Sequence, residues 1–224
     1  MKLATVFLAL SVAASGVARG QGADTTSYDW LVKSAHDATD RGEFNPSEDQ
    51  RNTLFTNAEQ YARKAIAANP NDAEGFFELA RALGRDALTK GSRERVKYAS
   101  AIYDTTKVAL RLNPKHAGAL DVMGMWNAEI MRLNGFVRMI AKNLLGGKTF
   151  GEASWEHAQA DLEEAVSLEP NRIVHKLNLA GVYADRGAKD KARQLYEWIA
   201  TAPATDYNDR NYKEEASRRL KDLR

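Results

Sequence analysis

The chain has no cysteine in its 224 residues. That absence excludes disulfide scaffolds, thiolate zinc and iron–sulfur sites, thiol nucleophiles and lipid-modified cysteine anchors. Proline is scarce at 5 residues and glycine moderate at 15, so most of the length is free to be helical. After the first twenty residues no uninterrupted apolar run approaches the roughly 18 residues that a membrane-spanning helix needs. An excess of one charge is missing too, with 32 Lys+Arg against 30 Asp+Glu. Lys2 and Arg19, both in the N-terminal segment, account for the difference. A balanced chain has no overall field to hold a phosphate polymer, which speaks against nucleic acid as a partner.

What is present begins with Met1 to Gly20. Lys2 precedes an apolar run from Leu3 to Ala14, broken only by Thr5 and Ser11, and small residues Ala18 and Gly20 stand before Gln21. This is the pattern of a secretory signal, so cleavage is expected near Gly20-Gln21, with an uncleaved anchor as the alternative. The remaining chain, residues 24–224, is expected to be a single exported domain, periplasmic or secreted.

Three landmarks set its architecture: Asn69-Pro70-Asn71, Asn113-Pro114-Lys115 and Glu169-Pro170-Asn171. Proline cannot continue a helix, so each marks a stop. Small residues precede them at Ala58, Ala62 and Ala65, at Ala109, and at Ala158 and Ala165, where helices can approach closely. At one interval beyond each proline stand Phe76, Leu79, Ala80 and Leu83; Leu120, Met123, Gly124 and Asn127; and Lys176, Leu179, Ala180 and Tyr183. Large, then large-small, then large is the pattern of the first helix of a tetratricopeptide repeat. The last unit adds a turn glycine, Gly187, with Ala192 and Tyr196 beyond it.

The fold class is therefore all-α, a tetratricopeptide-like helical-repeat solenoid of about four divergent helix pairs with a C-terminal capping helix at Tyr212, Ala216 and Leu220. The prolines stand 44 and 56 residues apart instead of about 34. The excess predicts inserts near 41–52, 86–96 and 130–152, or lengthened helices. Phe44 to Asn52 reads as a polar insert within the first unit, which otherwise has Trp30, Leu31 and Ala35 on its first helix.

The order of features between Ala73 and Leu223 resembles the regulator of microtubule dynamics protein family. The resemblance is carried by Glu78-Leu79-Ala80-Arg81-Ala82, a helix ending Leu112-Asn113-Pro114, Gly124-Met125-Trp126 with Glu129, Leu144-Leu145-Gly146-Gly147, and Ala202-Pro203 with Thr205-Asp206. It implies a non-catalytic adaptor. Under the export signal, microtubule association is not expected to carry over.

Tests for chemistry are negative. Gly146-Gly147-Lys148-Thr149 lacks the earlier glycine and the preceding strand of a phosphate-binding loop, so it reads as a helix end and turn. His36, His116, His157 and His175 form no pair at helical metal-binding spacing, and neither a metal nor another cofactor is expected. Glu152, Glu156, Asp161, Glu163 and Glu164 read as a solvated helix face. No nucleophile elbow occurs and no small-molecule substrate is evident, so the chain is not expected to be an enzyme. Ile130 to Leu145 carries one apolar stripe flanked by Arg132, Arg138 and Lys142, suiting either a lengthened core helix or a helix lying on an anionic membrane.

The expected function is protein interaction. First helices of stacked pairs line a concave face that holds an extended peptide or a helix. The inward positions are Glu74, Phe77, Arg81 and Arg85; Asp121, Met125, Ala128 and Glu129; and Leu177, Asn178 and Gly181. Of these, Glu74, Phe77, Arg81, Arg85, Asp121, Met125, Glu129 and Asn178 form the candidate groove. Arg81 and Arg85, one turn apart, suit a partner carboxylate, unless Asp121 or Glu129 of the next repeat pairs with them. The rival readings are an assembly subunit acting through its outer surface and a membrane-surface protein using residues 130–145.

Overall fold

A computed structural model describes residues 26–135 and 150–223. Every regular element among them is helical. Four pairs follow one another: α1 (Tyr28–Glu43) with α2 (Glu48–Ala68), α3 (Ala73–Leu88) with α4 (Ser92–Leu112), α5 (Ala117–Arg132) with α6 (Trp155–Leu168), and α7 (Ile173–Asp185) with α8 (Lys189–Thr201). A final helix, α9 (Asp209–Asp222), packs on α7 and α8. Residues 1–20, read as a secretory signal, and Gly146 to Thr149, read as a helix end and turn, lie outside the described residues.

The landmarks work by local chemistry. Asn69, Asn113 and Glu169 are C-caps whose N–H groups reach the carbonyls of Ala65, Ala109 and Ala165. The proline that follows has no N–H to extend the ladder. Asn69 and Asn113 then fold their side chains onto the N–H groups of Asn71 and Lys115, at 3.3 and 3.1 Å, turning the chain toward the next helix. Asp72 and His116 cap the helices that follow. In the last pair the turn is made by Gly187, whose φ of 78° a side chain would strain.

All six marker alanines are fully buried. They permit close helix contacts, as does Gly124, where an added Cβ would stand 2.7 Å from Leu162 Cγ and 3.0 Å from the Ala158 carbonyl oxygen. The α5–α6 seam closes there. Two larger clusters make the core, one around Leu79, Leu83, Ile102 and Trp126, the other around Leu162, Leu179, Tyr196 and Ile199. Trp126 buries its ring and still donates Nε1–H to the Ala99 carbonyl at 2.7 Å.

The expected inserts are corrected in two places. Residues 48–52 begin α2, because Ser47 accepts from the Gln50 N–H and Glu48 and Asp49 occupy the positive end of the helix. Residues 86–96 are the end of α3 and the start of α4, separated only by 89–91. The wider proline spacing there is helix length, since α3 and α4 have 16 and 21 residues against 13 and 13 in α7 and α8. The stripe from Ile130 to Leu145 is not one helix either: α5 ends at Arg132, and Leu133 takes extended backbone with φ −62° and ψ 138°. Ile130 is core and Leu133 packs against it, whereas positions 136–149, which hold the remaining stripe residues, lie outside the described residues.

Candidate concave binding face

The first helices of the pairs, α1, α3, α5 and α7, follow one another in a row that α9 completes. Together they enclose a cavity of about 310 Å³. All eight candidate groove residues line it: Glu74, Phe77, Arg81 and Arg85 from α3, Asp121, Met125 and Glu129 from α5, and Asn178 from α7. Ala128 and Leu177 lie instead in the core, and Gly181 is a contact point where Arg219 approaches the α7 backbone.

Part of the lining is apolar, including Leu88, Val122, Met125, Trp126 and Ile130. The rest carries charge, nearly all of it paired inside the protein. Arg81 does not meet Asp121 or Glu129; it bonds Asp40 of α1 and lies 3.4 Å from Glu78 on its own helix. Arg85 turns to Glu43 of α1 at 3.1 Å. Glu129 is held by Arg95 and Arg132 at 3.0 and 2.6 Å. The two arginines thus point back to the first unit, and the carboxylate fork expected of them is already filled.

Three histidines that form no metal-binding pair belong to this face. His36 donates to Asp40 and Glu78, at 3.3 and 2.7 Å, and those bonds raise its pKa to about 9 against the cost of burial and the nearby Arg81. The same cluster lowers Asp40 to about 2 although burial opposes its charge. A doubly protonated His36 has no lone pair for Arg81 Nη1, 3.2 Å away, so these cations are held together by the carboxylates around them. His175, 4% exposed, sits 3.0 Å from Asp121 Oδ1 and 3.1 Å from Glu169 Oε2. Burial works against its charge, yet Asp121 and Glu169 outweigh that and raise it to about 9. His116 pairs with Glu74 at 3.0 Å and lies against Phe77, ring centroids 4.6 Å apart. Asn178 completes the polar wall by donating to both Asp121 oxygens, at 3.1 and 2.9 Å.

The acidic stretch near α6 divides among separate partners: Glu156 with Arg186, Glu163 with Tyr183 and Glu152 with Tyr103. Asp161 is the exception in environment, pushed up to about 6 by burial. Among the described residues no group of three or more His, Asp or Glu is placed to hold a metal ion, and no helix is long and apolar enough to cross a membrane.

Helix pairs capped by Asn-Pro turns, stacked so that their first helices line one concave face, define a tetratricopeptide-type helical-repeat protein. A thermophilic TPR protein of Thermus thermophilus shares the fold, with a TM-score of 0.52 and 22% identity over 85% of this chain and 90% of that one. The chain belongs to the Regulator of microtubule dynamics protein 1-3 family, whose profile it matches over residues 16–224. It is 26% identical over 176 residues to Regulator of microtubule dynamics protein 1 of Bos taurus and 27% identical over 135 residues to that of Homo sapiens. Those alignments cover 78% and 60% of this chain but only 55% and 42% of the relatives, so the chain spans about half their length.

Proposed function

We propose that the protein is a non-catalytic adaptor that binds a segment of a protein partner on its concave face, and that it acts outside the cytoplasm after loss of residues 1–20. The observation that carries the reading is the cavity itself, lined by the first helix of every pair and by α9. Its apolar lining supplies area for burial, while its saturated charges fix the chain's own curvature and leave little to attract a free carboxylate. Partner recognition is then led by apolar side chains, with Met125, Val122 and Leu88 as the contact surface. The relatives' name ties them to microtubule dynamics; the export pattern directs the search for this chain's partner to exported proteins.

The reading is tested by placing a photo-crosslinking amino acid at position 125, inside the cavity, or at position 107, an exposed site on α4. The expected result is a discrete crosslinked product from native extract with the probe at 125 and none at 107. Product at 107 alone would move function to the outer surface. N-terminal sequencing of the protein recovered from its source tests the export step, with a start at Gln21 expected.

A further inference from the structure

The two ends of the superhelix are tied together across the concave face. Tyr212 of α9 donates its hydroxyl to Glu43 of α1 at 2.7 Å, and Arg85 reaches that hydroxyl from α3 at 3.5 Å. Asn208, at the head of α9, donates to the Asp40 carbonyl at 2.9 Å and to Glu43 at 3.3 Å. Phe44, just beyond α1, sets its ring edge-on to Tyr212 with centroids 5.5 Å apart. These contacts join residues up to 169 positions apart in the chain. They are polar apart from the Phe44 contact, whereas the Tyr212 ring and Ala216 also bury α9 in the apolar cluster shared with α7 and α8.

The closure has a consequence for size. A cavity of about 310 Å³ lies at the low end of the range for ligand pockets, roughly 300–1,000 Å³. It takes a few side chains. A partner helix of several turns, about 10 Å across with its side chains, needs a longer open trough. Taking the concave face as the partner site, we propose that α9 is an intramolecular latch: while Tyr212 and Asn208 hold α1, the face is shut to a helical segment, and release of those polar bonds opens it. The apolar seam on α7 and α8 stays packed during opening, so α9 swings with the last repeat and does not unfold. The latch is self-limiting, because its bonds exchange with water on release whereas the seam has no such substitute.

The test needs no partner, so its failure is separate from failure of the adaptor reading. Because the chain has no native cysteine, Asp37→Cys on α1 and Glu214→Cys on α9, both exposed, take spin labels at those sites alone. Double electron–electron resonance is expected to give one predominant distance in the otherwise wild-type chain. Adding Asn208→Ala and Tyr212→Phe, which keeps the buried ring, should raise a second, longer population at least threefold with helicity unchanged. Phe44→Ala, at a position 39% exposed and tolerant of truncation, should raise the same population if the double variant folds poorly. An unchanged single distance in a folded variant would overturn the latch and make the end contact a fixed part of the stack.

Discussion

Replacing Glu78 with alanine is expected to cost about 3–5 kcal/mol of stability, the largest loss from any single charge in the cluster between α1 and α3. Glu78 is fully buried, 2.7 Å from His36 and 3.4 Å from Arg81. Its removal leaves two cations 3.2 Å apart with Asp40 as their remaining anion. Arg81, 11% exposed, keeps only Asp40 as its anion, so the penalty for an under-paired buried charge falls mainly on it, while His36, about one-third exposed, can shed its proton to water. For a chain of this size the loss corresponds to a fall in melting temperature of roughly 10 °C. Urea unfolding of Glu78→Ala, of Arg81→Met and of the double variant measures it. The double variant should lose clearly less than the two single losses added, because removing both partners leaves no orphan. A loss below about 1 kcal/mol for Glu78→Ala would contradict the cluster's structural role.

Alkaline titration should show the second large effect. His36 and His175 have folded-state pKa values raised from 6.5 to about 9, so the folded protein holds protons that the unfolded chain has released. The stability they contribute is fully present below pH 6.5 and is lost as pH rises through 9. For His175, whose side chain is 5% exposed, the shift corresponds to about 3 kcal/mol. His36 is about one-third exposed and adds less, because solvent screens its pairs. Unfolding free energy should therefore decline between pH 6.5 and 9 and flatten above it. In Asp121→Asn, which removes the carboxylate nearest His175 Nδ1, the protein should be weaker at neutral pH and the decline shallower. Equal slopes in the two proteins would show that His175 does not carry the charge.

The parts of the structure that were legible in the sequence rest on short-range rules. An Asn-Pro or Glu-Pro stop, an alanine four residues before the cap and large-small spacing after it define each pair because capping and ridge packing involve neighbours in the chain. Once that register is set, eight of the eleven inward positions line the cavity, whereas Ala128 and Leu177 fall in the core and Gly181 is a helix contact. The start of α2 was also readable: Ser47 and Gln50 have capping-box spacing, outweighed by the polarity of the segment. His36 stands one turn before Asp40, so its ion pair was available to a search for carboxylate partners rather than metal ligands. The partners of Arg81 and Arg85 were not available. They depend on the curvature of the stack, which accumulates from small rotations between repeats and brings α9 back to α1. Nothing near position 85 announces a tyrosine 127 residues away.

The central claim, that the concave face receives the partner, is tested most directly at Gly84. This residue lies on α3 and lines the cavity, and an added Cβ there meets nothing within 4 Å. Gly84→Trp should project its ring into the cavity from a Cβ that meets no neighbour, and replacing a mid-helix glycine lowers the backbone entropy lost on folding. The measurement is recovery of crosslinked partner by wild type and by Gly84→Trp, with melting curves run on the same samples. The account requires loss of at least nine-tenths of the captured partner with no fall in melting temperature. Undiminished capture by a folded Gly84→Trp protein would contradict it and place the partner on the outer face of the solenoid.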